Sequence, residues 1–186
     1  IAERCWPLIK LGRVDEARQF AQTAVNSPNP WQRSAGLNAL CAVEGEARTR
    51  EAYHQACIAA LNDARSEMAR NQDEDRETGG LAVDAYNAAL GAAAALQVEE
   101  AEAFALEGAR RFEASVANPW RLLVNLYLSM GRMEDALNAF SRMMDWNNRQ
   151  PAAMRDQNHA DLEATVATMF LFAGESEEAL MRINRS

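Results

Sequence analysis

Apolar residues recur three and four positions apart along almost the whole chain, and runs that alternate apolar with polar are missing. That spacing belongs to one face of a helix, not to a strand. Glycine and proline punctuate it. Gly12, Gly45, Gly131 and Gly174 fall between periodic segments, where helix C-caps sit, and the prolines fall mostly where a helix begins or a loop passes. The pattern predicts an all-α fold of about five helical hairpins. Their helices span residues 4–11 and 14–26, 31–43 and 47–70, 81–95 and 98–115, 120–130 and 133–144, and 160–173 and 176–184. The short connections inside each pair require antiparallel partners. Two longer polar stretches, 71–80 and 145–159, read as loops.

The stretch NPWRLLVNLYLSMGRMEDALNAF, residues 118–140, shows the unit most clearly. Trp120, Leu123 and Tyr127 form one apolar stripe, and Ala136 and Phe140 form a second beyond Gly131. Neither helix buries its stripe alone, so each hairpin must stack on a neighbour. Parts of the unit recur. LGRVDEAR (11–18), MGRMEDAL (130–137) and AGESEEAL (173–180) share a glycine, an acidic pair and an alanine five residues after the glycine. LQVEEAEA (96–103) keeps the acidic pair and Ala101, with Leu96 in place of the glycine. NPW opens a hairpin twice, at 29–31 and 118–120. Ala101 and Ala136 lie 136 − 101 = 35 residues apart, close to the period of about 34 residues of tetratricopeptide repeats.

On these residues the chain resembles the tetratricopeptide repeat (TPR) family. Residues 118–148 match best, with Trp120, Leu123, Tyr127, Gly131, Ala136 and Phe140 at the family spacing; Val124 stands where a small residue belongs, and Asn148 replaces the closing proline. Residues 160–186 carry Val166, Ala167, Phe170, Gly174 and Ala179 in register, and residues 82–115 keep Ala89 and Ala101. The resemblance implies a right-handed α-solenoid forming a single TPR-like domain over residues 1–186. It also implies a protein–protein interaction scaffold that binds a peptide segment or partner domain in a concave groove. In the family the first helix of each hairpin lines that groove. Carried over, the groove positions are Tyr86, Asn87, Arg121, Asn125, Thr165 and Thr168. Arg121 and Asn125 are four apart on one helix face, suited to a carboxylate and a peptide carbonyl. An alternative of another class is a regulatory or substrate-docking module of an enzyme whose catalytic domain lies outside this stretch. The chain opens on Ile1 and not Met, which reads as a fragment of a longer polypeptide. An exposed end repeat would also allow self-association.

Composition narrows the partners. A net charge of −8 argues against nucleic acid as the ligand. No apolar run approaches the length of a membrane span. Three cysteines without paired spacing, Cys5, Cys41 and Cys57, suggest buried thiols in a reducing, cytoplasmic setting. His54 and Cys57 lie three apart but lack the further ligands that zinc needs. His159 reads as a loop residue. The acidic segment 73–79 lacks the glycine and bidentate glutamate of a calcium loop and reads as a connector. The recurring acidic pairs suit helix N-termini better than acid–base catalysis. No catalytic constellation assembles, so the expectation is a binding protein, not an enzyme, with no cofactor.

Overall fold

Helices form where the periodicity places them, and three of them, each beside one of the two polar stretches, run further than the polar composition suggests. The computed structural model describes residues 2–70, 74–111 and 119–184. A 3-10 turn at Ala2–Arg4 leads into α1 (Cys5–Lys10), α2 (Val14–Val25), α3 (Pro30–Glu46), α4 (Arg50–Arg70) and α5 (Glu74–Ala94). Then follow α6 (Val98–Arg111), α7 (Pro119–Ser129), α8 (Met133–Asn148), α9 (Ala152–Phe172) and α10 (Ser176–Ile183). No strand occurs among the described residues. Each odd-numbered helix packs on the even-numbered helix that follows it, and the short turns between them leave only an antiparallel arrangement. The chain divides into two compact units, residues 1–115 and 116–186.

A left-handed residue recurs at the turn of every pair. The first helix ends on a residue with left-handed backbone: Gly12 (φ 71°), Arg48 (φ 56°), Leu96 (φ 64°), Gly131 (φ 71°) and Gly174 (φ 85°). In four pairs the next amide reaches back to a carbonyl in the last turn: Arg13 to Leu8 at 2.9 Å, Gln97 to Ala92 at 2.9 Å, Arg132 to Tyr127 at 2.8 Å and Glu175 to Phe170 at 2.8 Å. This closure satisfies carbonyls that the helix end would otherwise strand. In four pairs a buried alanine of the second helix comes five residues after the left-handed position: Ala17, Ala101, Ala136 and Ala179, each at most 1% exposed; the second pair has the half-buried Tyr53 there. Leu96 therefore stands in the place of the missing glycine. The acidic pairs Asp15–Glu16, Glu99–Glu100, Glu134–Asp135 and Glu177–Glu178 fall in the first turn of the second helix, beside its positive dipole end.

Three expectations about boundaries are corrected. Gly45 is not a C-cap: α3 runs through it to Glu46, and Arg48 takes the left-handed position. The expected loop at 71–80 is helical from Glu74 onward, so the connector reading of the acidic segment gives way to a helix start; Asn71–Asp73 lie outside the described residues. The expected loop at 145–159 shrinks to Arg149–Pro151. Packing outweighs polar composition there, because Trp146 and Asn147 are buried and draw the end of α8 into the core. The Asn158 side-chain amide donates to Asn147 Oδ1 at 3.1 Å, and the Met154 and Arg155 amides donate to the Pro151 carbonyl. His159 accordingly lies on α9.

Small residues let the helices of the first unit approach closely. Ala17, Ala21 and Ala24 of α2 pack with Ala39 and Val43 of α3, around the buried Cys5. A Cβ at Gly36 would lie 2.6 Å from the Val25 nitrogen, so only glycine permits that spacing. A second cluster joins α3, α4 and α5 through Cys57, Leu61, Leu81, Ala85 and Ala88. Ion pairs edge these contacts: Arg18 with Glu44 at 2.6 Å between α2 and α3, and Arg65 with Glu107 between α4 and α6. Cys41 of α3 and Cys57 of α4 form a disulfide. This corrects the expectation of three buried thiols. Thr49 marks the turn, and the two cysteines lie eight residues before and after it (49 − 41 = 57 − 49 = 8), hence level across the antiparallel pair. Cys5 alone is free; it is buried, and its thiol donates to the Ala17 carbonyl.

The second unit buries Leu123, Val124, Tyr127, Ala136, Met143, Trp146, Ala167 and Ala179. The stripe of Leu123 and Tyr127 is covered as expected, whereas Trp120, expected in the core, is only half-buried. The Arg132 guanidinium stacks 4.5 Å from the Tyr127 ring centre and binds Asp135 at 2.7 Å, tying the turn of this hairpin together.

Candidate functional site

In the first unit a cavity of about 500 Å³ opens between the 3-10 turn, α1, α3 and α5. Its helices α1, α3 and α5 are the first helices of successive hairpins. The walls are mainly apolar, and two tryptophans, Trp6 and Trp31, line it. Trp31 is 83% exposed and Trp6 45%. The cause of Trp31's position is local. Asn29 caps α3 by accepting from the Gln32 amide at 3.3 Å, Pro30 occupies the first turn, and Trp31 is fixed in that turn with no helix laid over it.

The charged part of the cavity is acidic. Glu3 lines one side, and Asp84 of α5, 7% exposed, lines another. The Asn38 side-chain amide donates to Asp84 Oδ1 at 2.7 Å. Burial pushes the Asp84 carboxyl up to about 6; the Asn38 hydrogen bond opposes this, and the neighbouring Asp63 carboxylate adds to it. Asp63 lies 3.8 Å from the Arg33 Nε through Oδ1, while its Oδ2 is buried without a hydrogen bond. A carboxylate held in an aromatic-lined hollow favours cations and gives no purchase to anions.

The residues singled out from the sequence fall elsewhere. Tyr86 and Asn87 are half-buried on α5, in the same unit as the cavity but not among its walls. Arg121 and Asn125 share α7, and Asn125 is exposed. Arg121 is already engaged, its Nη1 lying 2.7 Å from Asp161 Oδ2 of α9. Thr165 is 2% exposed and donates its hydroxyl to the Asp161 carbonyl at 2.8 Å. Thr168 does the same to Ala164 at 2.9 Å. Both hydroxyls are thus spent within their own helix. Asp161 draws Arg121 toward the Thr165 turn; Tyr86 and Asn87 belong to the other unit.

His54 is buried and bonds Glu100 Oε2 through Nε2 at 2.9 Å, while the Cys57 sulfur is joined to Cys41. Neither is left as half of a metal pair. Trp6, Trp31, Asn38 and Asp84 were not anticipated. A signal for Asp84 existed: it lies three residues after Leu81 and four before Ala88, a lone carboxylate inside the buried stripe of α5. The last two helices expose Leu171, Phe172, Leu180, Met181 and Ile183. No helix among the described residues is long and apolar enough to cross a membrane.

No protein-family model matches the chain, and no curated protein matches it. Among solved structures it is similar to a crystal structure of BtubC (BKLC) from P. vanneervenii. The TM-score is 0.74 at 18% sequence identity, over 97% of this chain and 74% of that one. At that identity the likeness concerns the fold alone.

Proposed function

We propose that the chain is a TPR-like interaction scaffold, a right-handed solenoid of about five hairpins, and that it binds a peptide segment or partner domain on the face made by first helices. The observation that carries this reading is the cavity between α1, α3 and α5, with Trp31 held open to solvent beside it. A large exposed aromatic at the edge of a hollow is the usual anchor of a protein contact. The recurring turn and its buried alanines support the repeat reading. The expected cytoplasmic setting is opposed by the Cys41–Cys57 disulfide, which suits an oxidising compartment.

A photo-reactive amino acid placed at position 31 or 87 tests this reading against the same probe at the exposed positions 22 and 62 of α2 and α4. Cross-links to a protein partner from 31 or 87 support the first-helix face. Cross-links confined to 22 and 62 overturn it. Self-association is a second reading, favoured by the apolar side chains exposed on α9 and α10. A sedimentation profile independent of protein concentration rules it out.

A further inference from the structure

We propose that the α1–α3–α5 cavity is a receptor for a cationic side chain, a lysine or arginine in a basic segment of a partner protein, with Trp6 and Trp31 taking its stem and charge and Asp84 its terminal donor. The inference rests on the first-helix binding face and adds to it the chemistry of the ligand.

Three independent observations converge. The first is the shape and lining: about 500 Å³ of hollow accepts a long side chain with part of its backbone, and its walls are mostly apolar. An aliphatic stem buries favourably against such walls while its charged end reaches a polar spot. The second is the pair of tryptophans, whose ring faces attract a cation more strongly than other side chains do. The third is Asp84, more than nine-tenths buried at the cavity wall, with only Oδ1 engaged by Asn38. Among the described residues Oδ2 has no donor. A cation delivered there would supply one and offset the cost of burying an acidic group. Charge complementarity extends outward, through Glu3 at the same cavity and a net charge of −8 over the chain. An acidic segment is repelled by Asp84, and a neutral amide offers it a donor without the compensating charge.

The test uses the whole chain and two synthetic probes: a lysine–glycine peptide and a glutamine–glycine peptide of the same length, titrated calorimetrically at moderate salt. Trp31→Ala removes an exposed ring and leaves folding untouched, and Asp84→Asn removes charge while keeping an acceptor for Asn38. Glu177→Gln, on α10, controls for the loss of one negative charge anywhere. The lysine peptide is expected to bind the native chain and Glu177→Gln alike, to bind Trp31→Ala and Asp84→Asn about tenfold more weakly, and to outbind the glutamine peptide. Equal binding to all four proteins means diffuse attraction to an acidic surface and overturns the proposal; so does no binding of the lysine peptide. Those results leave the first-helix face standing, because that reading fails only when cross-links map to positions 22 and 62.

Discussion

The ring of Tyr53 occupies the space that a side chain at position 45 would need: a Cβ built on Gly45 would lie 2.9 Å from Tyr53 Cε2. The two residues hold equivalent places in the second hairpin to Leu128 and Ala136 in the fourth, where both are buried. Large and small have exchanged helices. One hairpin puts its bulk on the first helix and its gap on the second, and the other does the reverse.

That exchange predicts a reciprocal double mutant. Gly45→Leu alone is expected to destabilise by about 1–3 kcal/mol through overpacking against the Tyr53 ring. Adding Tyr53→Ala, which restores the arrangement of the fourth hairpin, is expected to recover more than half of the loss, a favourable coupling of about 1 kcal/mol or more. Denaturant melts of the four proteins of the cycle measure it. Additive losses would show that the two positions do not share one space.

Leu96 carries a left-handed backbone and an exposed side chain. Leu96→Gly therefore removes strain and gives up little packing, and is expected to raise stability by about 0.5–1 kcal/mol. A lower melting temperature for this variant would contradict the turn described for the third hairpin.

Asp84 predicts a pH window. Its folded carboxyl titrates at about 6, above the ordinary aspartate value of about 3.9. Below about pH 4 both folded and unfolded forms hold the proton and there is no penalty. Between about pH 4 and about pH 6 the unfolded chain releases it first, so stability falls as pH rises, by about 3 kcal/mol in total. The groups facing Asp84 are Asn38 of α3 and Asp63 of α4, the latter beside Arg33. Asp84→Asn should match the native protein near pH 4 and exceed it increasingly up to pH 6, levelling beyond. Urea titrations across the window check this; a constant difference would remove Asp84 as the source.

The disulfide predicts a thiol count. The unfolded, unreduced protein should show one reactive thiol, Cys5, and the reduced protein three. Reduction opens a loop of 16 residues, and chain-entropy arguments put the loss near 3 kcal/mol. Three thiols before reduction would return Cys41 and Cys57 to the free state.

Helix period and turn glycines made most of the architecture legible. The third hairpin was found without its glycine because Glu99, Glu100 and Ala101 kept the pattern of the second helix. Loop lengths were not legible. The segment at 145–150 looks polar, but Trp146 and Asn147 are buried, and burial is decided by helices distant in sequence. The two NPW motifs show the same limit: Trp120 is half-buried and Trp31 exposed, since cover comes from neighbouring helices and not from the motif. The disulfide is not legible as a spacing motif because Cys41 and Cys57 are brought level only by the turn between α3 and α4. The cavity is not legible in the sequence because its lining comes from the 3-10 turn and three helices far apart along the chain.

The left-handed position at each hairpin turn has a consequence for how far such a chain can diverge. Glycine fills it three times, arginine once and leucine once, and all five residues keep the left-handed backbone. A site that accepts a charged residue or a large apolar one at modest cost places little constraint on mutation. What must persist is a small residue opposite a larger one, and Gly45 with Tyr53 shows that even this can be inverted. Architecture of this kind is compatible with very different sequences, in keeping with a like fold at 18% identity.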